Sequence, residues 1–262
     1  MHAEGATLAS ESGGTRFNRR VTDNALDLTI VIPCLNEEER IGATLDTVAA
    51  AMCELAHSYE VLVIDDGSTD RTAAIVEEYA AQHPNLPIRL HKNPRNRGLT
   101  RSFVDGAFLG RGRYYRLVCG DNTEPKDTLR AIFCQMGNAD MVIPYHPAVA
   151  GKPLLRRMLS QAYTRLVNVL SGYQMHYYNG CALHLRYNVM RWGPYSFGFG
   201  FQAELITRLL DEGATFIEIP VNATHVEKSA RNSAINYGNF LSVGHTLLEI
   251  FIRRLRKRVF QK

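Results

Sequence analysis

The sequence predicts an α/β protein with a mainly parallel central sheet flanked by helices. Three observations carry that expectation. Short β-branched apolar runs alternate with stretches of helical periodicity, the pattern of a parallel sheet covered on both faces. Polar clusters follow the ends of three of those runs, at Asn36-Glu37, Asp65-Asp66 and Asp121-Asn122. The chain, at 262 residues, is long enough to bury most of its apolar surface without disulfide or metal staples.

The elements follow in order. Leu28 to Pro33 is a short apolar run, and helical periodicity through Leu45, Val48 and Met52 comes after a polar loop. Glu60 to Ile64 is a second buried strand, and the acidic stretch Asp65-Asp66-Gly67-Ser68-Thr69-Asp70 opens a helix through Ile75, Val76 and Tyr79. Ile88 to Leu90 reads as a third strand. A loop with Asn93, Arg95, Asn96, Arg97 and Gly98 leads into a helix that ends near Gly110. Tyr114 to Val118 is a fourth strand, ending at Cys119-Gly120-Asp121-Asn122. After the strand Met141 to Ile143, residues 154–170 read as an amphipathic helix and Tyr173 to Phe201 as a segment rich in Tyr, Gly and Phe. A helix over Gln202 to Leu210, a strand over Thr215 to Val221 and a helix from Tyr237 complete the chain.

Composition narrows the function classes. Charged residues are 21% and the net charge is +4, which is no signature of nucleic-acid binding, and none is expected. The basic excess sits in Arg253-Arg254-Leu255-Arg256-Lys257-Arg258. The five cysteines are odd in number and form no CxxC pair, so reduced thiols in a cytoplasmic protein are expected. Residues 1–26, which carry no apolar core over 1–20, read as a disordered tail. No apolar run reaches the ~18 residues of a membrane span.

The strand-end clusters carry the chemistry. Adjacent carboxylates repel and need donors or a cation, so Asp65 or Asp66 could accept from a nucleobase N–H. A turn with a helix cap is the plainer alternative. Asp121, with Asn122 or Thr123, suits a hard divalent cation shared with substrate phosphates, or is only a tight turn. Arg95, Arg97 and Arg101 around Gly98 could meet phosphate, or form a solvated basic loop. Glu204 could orient an acceptor or act as base, or be a structural carboxylate. The C-terminal helix, basic and amphipathic, suits a membrane surface or ordinary packing on the domain. Residues 154–170 raise the same question.

Read in order, Val31-Ile32-Pro33-Cys34-Leu35-Asn36-Glu37, Val63 to Asp70, Asn96-Arg97-Gly98-Leu99 and Gly120-Asp121-Asn122 resemble the family 2 glycosyltransferases with the GT-A (Rossmann-like) fold. Arg156-Arg157 with Ser160, Tyr178-Asn179-Gly180, Gly200 to Glu204 and Glu218-Ile219-Pro220-Val221 resemble the polyprenyl-phosphate branch, typified by dolichol-phosphate mannose synthase. The resemblance implies one GT-A domain over 27–236 with a basic amphipathic helix over 237–262. It implies that Pro33, Leu35, Asn36, Glu37, Asp65, Asp66, Ser68, Arg97, Gly98, Gly120, Asn122, Gln202 and Ser233 line the site of a UDP- or GDP-linked sugar. Asp121 matches the second aspartate of the family's DxD metal motif, so Asp121 and Thr123 would hold Mg²⁺ or Mn²⁺. The first position of that motif is Cys119 here, so either Asn122 or Glu124 compensates or the donor differs. Asp121, Glu204, Lys228 and Arg231 form the implied catalytic set. The implied acceptor is a lipid phosphate, with inversion at the sugar carbon, by an enzyme peripheral to the inner face of a membrane. The rivals are a soluble acceptor, another lipid acceptor, a silent nucleotide-sugar binder and a nucleotidyltransferase. The last would be expected to carry a Gly-rich basic loop where this chain has Asn36-Glu37-Glu38-Glu39.

Overall fold

The computed structural model describes residues 26–147, 154–194, 200–221 and 237–260. The side chains of 154–156, 237–241 and 258 are not among those described. The tail expected over 1–26 falls outside the described residues but for Leu26.

The elements run β1 (Leu28–Cys34), α1 (Ile41–Met52), β2 (Tyr59–Asp65), α2 (Thr72–Gln82), β3 (Ile88–Lys92), α3 (Leu99–Leu109), β4 (Tyr114–Leu117), α4 (Lys126–Phe133), β5 (Met141–Tyr145), α5 (Leu154–Ser171), β6 (Leu183–Leu185), α6 (Arg186–Arg191), α7 (Phe201–Asp211), β7 (Phe216–Pro220) and α8 (Tyr237–Phe260). The seven strands make one sheet in the order β3-β2-β1-β4-β6-β5-β7. Every pairing is parallel except the two made by β6.

Alternation along the strands feeds two apolar layers. Leu28, Ile30 and Ile32 of β1 face Ile41, Leu45 and Val48 of α1 and Leu129, Ile132 and Phe133 of α4. Val31, Leu62 and Ile64 lie on the other face with Phe103 of α3 and Leu205, Ile206 and Leu209 of α7. Each such side chain contributes about 1.5–3 kcal/mol when fully buried.

Three elements differ from expectation. β6 has only three residues, too few to show a period of two, and lies inside the Tyr- and Gly-rich segment. α6 is equally short. α4 carried a readable signal, since Leu129, Ile132 and Phe133 fall at helical spacing after Pro125.

α8 docks against the start and the end of α7. A Cβ at Gly200 would stand 1.9 Å from Thr246 Oγ1, so the helices approach this closely because position 200 has no side chain. At the other end Asp211 gathers the basic run. Arg253 Nε lies 2.8 Å from Asp211 Oδ2, and Arg253 Nη2 donates to Thr207 Oγ1 at 2.6 Å. Arg254 reaches Asp211 Oδ1 at 3.5 Å, and Lys257 Nζ donates to the Asp211 carbonyl at 3.0 Å. Cations at a helix C-terminus also answer its unpaired carbonyls. Three of the run's five charges thus hold α8 to α7 rather than facing outward.

The sequence order of the strands sets the position of the site. β1, β2 and β3 step one way across the sheet, and β4 lies on the other side of β1. In open α/β sheets ligands bind outside the carboxyl ends of the strands at such a reversal. Here that crevice lies beyond Cys34 and Leu117.

Candidate active site

Two loops at the crevice are fastened to each other. Asn36 N donates to Ser68 Oγ at 3.0 Å, and Asn36 Oδ1 accepts from Thr69 N at 2.9 Å. Glu37 N donates to Thr72 Oγ1 at 2.8 Å, and Glu38 N to Asp70 Oδ2 at 3.2 Å. Arg71 N returns a bond to Glu38 Oε2 at 2.9 Å. Asn36 sits at φ 55°, a left-handed conformation that asparagine tolerates better than most residues. The 35–38 and 68–72 stretches therefore form one wall, with Leu35 and Asn36 exposed and Pro33 and Glu37 partly so.

Asp66 joins a third loop to that wall. Its Oδ1 accepts from Asn93 Nδ2 at 2.7 Å and from Arg97 N at 3.0 Å; its Oδ2 accepts from Gly98 N at 2.8 Å. A carboxylate offers about four lone-pair sites, so one remains for a ligand. Asp65 Oδ1 accepts from Ser68 N at 3.0 Å. Gly67 takes φ +82°, and a Cβ there would meet Arg95 backbone carbon at 2.7 Å. Two of the three arginines around Gly98 are drawn aside: Arg97 Nη1 lies 2.8 Å from Asp105 Oδ2, and Arg101 Nε, in the first turn of α3, 2.9 Å from Asp105 Oδ1.

Asp121 is presented from a loop pinned at three points. Thr44 Oγ1 of α1 donates to the Gly120 carbonyl at 2.8 Å, and Thr47 Oγ1 to Asn122 Oδ1 at 2.9 Å. Beyond it, the fully buried Arg116 forks onto Glu124 at 3.1 Å and 2.5 Å. Glu124 and Asn122, the residues expected to compensate for Cys119, are thus committed to Arg116 and Thr47. Asp121 itself is half-exposed and, among the described residues, accepts from Thr123 Oγ1 at 2.8 Å. The described residues hold no cluster of three His, Cys, Asp or Glu able to cage a cation. The set fits Mg²⁺ or Mn²⁺ arriving with a diphosphate, which needs only one or two carboxylates from the protein. It does not fit a preassembled cage.

The remaining expected residues are scattered. Cys119 touches the thiol of Cys181, and that contact together with burial pushes its pKa far up. Gln202 is buried and pairs with His184 through Oε1 at 3.2 Å. His184 stands opposite Tyr115 in the strand pairing, two residues before the end of β4. Glu204 is 1% exposed, with Arg208 at 3.9 Å. Lys228, Arg231 and Ser233 lie outside the described residues. Sequence reasoning missed Asn93, Thr44, Thr47, Arg116 and Cys181. The clearest available signal was Arg116, a cation inside an otherwise apolar strand.

Comparison with known proteins fits this layout. A family model described as "Glycosyl transferase family 2" matches residues 29–193. Dodecaprenyl-phosphate galacturonate synthase of Rhizobium johnstonii is 30% identical over 163 residues, 62% of this chain and 48% of that protein. Undecaprenyl-phosphate mannosyltransferase of Micrococcus luteus is 26% identical over 219 residues, 79% of this chain and 87% of that protein. The chain thus spans about half the length of the first of these relatives and most of the second. Among solved structures, a mannosyltransferase from Pyrobaculum calidifontis in complex with GDP-Man and Mn²⁺ matches with a TM-score of 0.62 at 20% identity, over 89% of this chain and 67% of that one. That likeness shows the GT-A fold. With the family model covering more than half of its length, the chain belongs to the family 2 glycosyltransferases, and its curated relatives lie in the polyprenyl-phosphate branch.

Proposed function

We propose that the chain transfers a sugar from a UDP- or GDP-linked donor to a polyprenyl phosphate, with Mg²⁺ or Mn²⁺ and with inversion at the sugar carbon. One observation carries the reading. Three strand-end clusters converge on a single crevice in a chain whose curated relatives are named as transferases on polyprenyl phosphates.

On this reading the wall built from Pro33, Leu35, Asn36, Glu37 and the Asp66-bound loop receives the nucleoside. Asp65 and Ser68 hold the wall rather than the ligand, given their bond to each other. Asp121 faces the diphosphate, and Thr123 orients its carboxylate. A divalent cation bound there would neutralise the leaving diphosphate. The acceptor phosphate is already anionic near neutral pH, so it attacks without a strong base. That leaves Glu204 a positioning role through Arg208. Lys228, Arg231 and Ser233 are proposed to meet the leaving group. We place residues 27–236 as the transferase unit.

The lipid acceptor also gives a role to the outer faces of α5 and α8. Met158, Leu159, Leu166 and Val169 of α5, and Leu248, Phe251, Leu255 and Val259 of α8, are exposed. Each set falls along one side of its helix, and the two helices pack together. Exposed Arg157, Arg165 and Arg256 accompany them. Such a face suits the surface of an anionic bilayer, and we place the enzyme there, on the cytoplasmic side.

The test is transfer itself. Purified protein with Mn²⁺ and a panel of UDP- and GDP-hexoses is given farnesyl phosphate or farnesol, and products are read by mass spectrometry. Hexosyl farnesyl phosphate, formed with one donor and abolished by EDTA, supports the reading. Transfer to farnesol or to soluble acceptors alone would sink it.

A further inference from the structure

A second group of polar side chains stands on the same edge of the sheet, two strands along from the Asp121 loop. Arg116 of β4 and Val142 of β5 both pair with Leu183 of β6. Three residues further on, Cys119 and Tyr145 are therefore level, two inter-strand spacings or about 10 Å apart. The segment between them is Tyr178 to Cys181: a Cβ at Gly180 would stand 2.4 Å from the Pro144 carbonyl, and the Cys181 thiol meets Cys119.

At the Tyr145 end His176 is held by three contacts, two to its ring and one to its backbone. Its ring stacks on Tyr145 with centroids 4.5 Å apart and planes 14° from parallel. Its backbone N–H donates to Glu218 Oε1 at 2.8 Å, and Nδ1 lies 2.8 Å from Glu218 Oε2. A carboxylate only accepts, so Nδ1 carries the hydrogen and Nε2 is the outward nitrogen. The imidazole is 59% exposed while the Glu218 side chain is 11% exposed. An exposed ring with a buried carboxylate behind it, locked in tautomer and orientation, is the arrangement by which proteins aim a histidine at a ligand. Three residues along the same segment, the Oδ1 atom of Asn179 is buried with no hydrogen-bond partner.

We propose that His176, positioned by Glu218 and Tyr145, receives the phosphate of the acceptor. This rests on the acceptor being a phosphate, as proposed above. The phosphate arrives partly as its monoanion, since its second ionisation falls near pH 6. Its remaining proton moves to His176 Nε2, giving an imidazolium that donates back to the phosphate dianion. No other reagent is needed, and the dianion is the better nucleophile. The Asp121 loop and His176 then hold the two reacting phosphates about two strand spacings apart, with the sugar between them. The titratable groups in contact with His176 are Glu218 and Tyr145; His146 and Tyr177, their neighbours in sequence, meet edge to face with each other.

The experiment uses the full chain. The His176 imidazole resonance, assigned with His176→Gln, is followed by NMR during titration with farnesyl phosphate, inorganic phosphate and farnesol. The proposal expects a saturable shift with farnesyl phosphate, a weaker one with inorganic phosphate and none with farnesol. In the transfer assay His176→Gln and Glu218→Gln should raise the KM for farnesyl phosphate about tenfold or more. The KM for the donor should stay put, and the acid limb of the acceptor profile should flatten in His176→Gln. A His176 resonance blind to farnesyl phosphate, or an unchanged acceptor KM in folded His176→Gln, overturns the proposal. Should the variant not fold, through-bond correlation from the His176 backbone assigns the ring in wild type, and that titration still decides. Transfer that persists with an unchanged acceptor KM refutes this site and leaves the function standing. A His176 that binds farnesyl phosphate in an enzyme that transfers only to soluble acceptors supports the site and refutes the function.

Discussion

The carboxylate of Asp66 accepts three hydrogen bonds from the 93–98 loop, and so does more to shape the crevice than to fill it. Asp66→Ala would leave two backbone N–H groups and an amide without their partner. It should cost on the order of 2–4 kcal/mol, read by urea denaturation, and should weaken donor binding in step. Unchanged stability would mean that the loop holds itself. Asp66 was legible as a strand-end carboxylate in need of donors from its place after an apolar strand. Its partners were not, because they depend on how β3 lies beside β2. The fork from Arg116 to Glu124 was hidden for a similar reason: only the turn after β4 brings the two together. His184 offers a separate check in the core. Burial holds its pKa down at about 4, against 6.5 when free. The unfolded chain therefore takes up a proton first as pH falls. Stability should be full above about pH 6.5 and decline towards pH 4, by roughly 3 kcal/mol at most. His184→Asn should flatten that slope in denaturation curves measured from pH 7 to pH 4.

At the level of elements, the strands of the β1–β4 half and the long helices could be read from periodicity, because each spans enough residues to show it. β6 could not, and its reversed direction is visible only from its pairing with β4 and β5. α8 is the element whose meaning changed most. The basic run looked like a set of charges for lipid headgroups, yet Arg253, Arg254 and Lys257 grip Asp211. What α8 turns outward is mainly apolar, and α5 extends the same face. Phe251→Ser, Leu255→Ser and Val259→Ser combined should therefore reduce flotation with phosphatidylglycerol vesicles by tenfold or more. Each lost insertion forfeits about 1.5–3 kcal/mol, while folding is preserved because these side chains are exposed. Equal flotation of variant and wild type would mean that this face is not what meets the membrane.

For the whole molecule, strand order does what no single motif could. Asn36-Glu37, Asp65-Asp66 and Asp121-Asn122 are spread over some eighty residues of sequence, and the reversal between β1 and β4 puts them round one crevice. The alternation of strands and helices made that gathering foreseeable. The antiparallel β6, which carries the second half of the sheet over to the His176 side, was not foreseeable. Lys228, Arg231 and Ser233 lie outside the described residues. The claim on which the rest depends is that the crevice binds a nucleotide-diphosphate sugar with a cation at Asp121. Isothermal titration of wild type and Asp121→Ala with UDP- and GDP-sugars, with and without Mn²⁺, tests it most directly. One donor class should bind wild type more tightly with Mn²⁺, and Asp121→Ala should lose at least tenfold in affinity and all of the Mn²⁺ effect while melting at the same temperature. Equal binding by both proteins with the same Mn²⁺ dependence, or no binding of any donor to wild type, would contradict it.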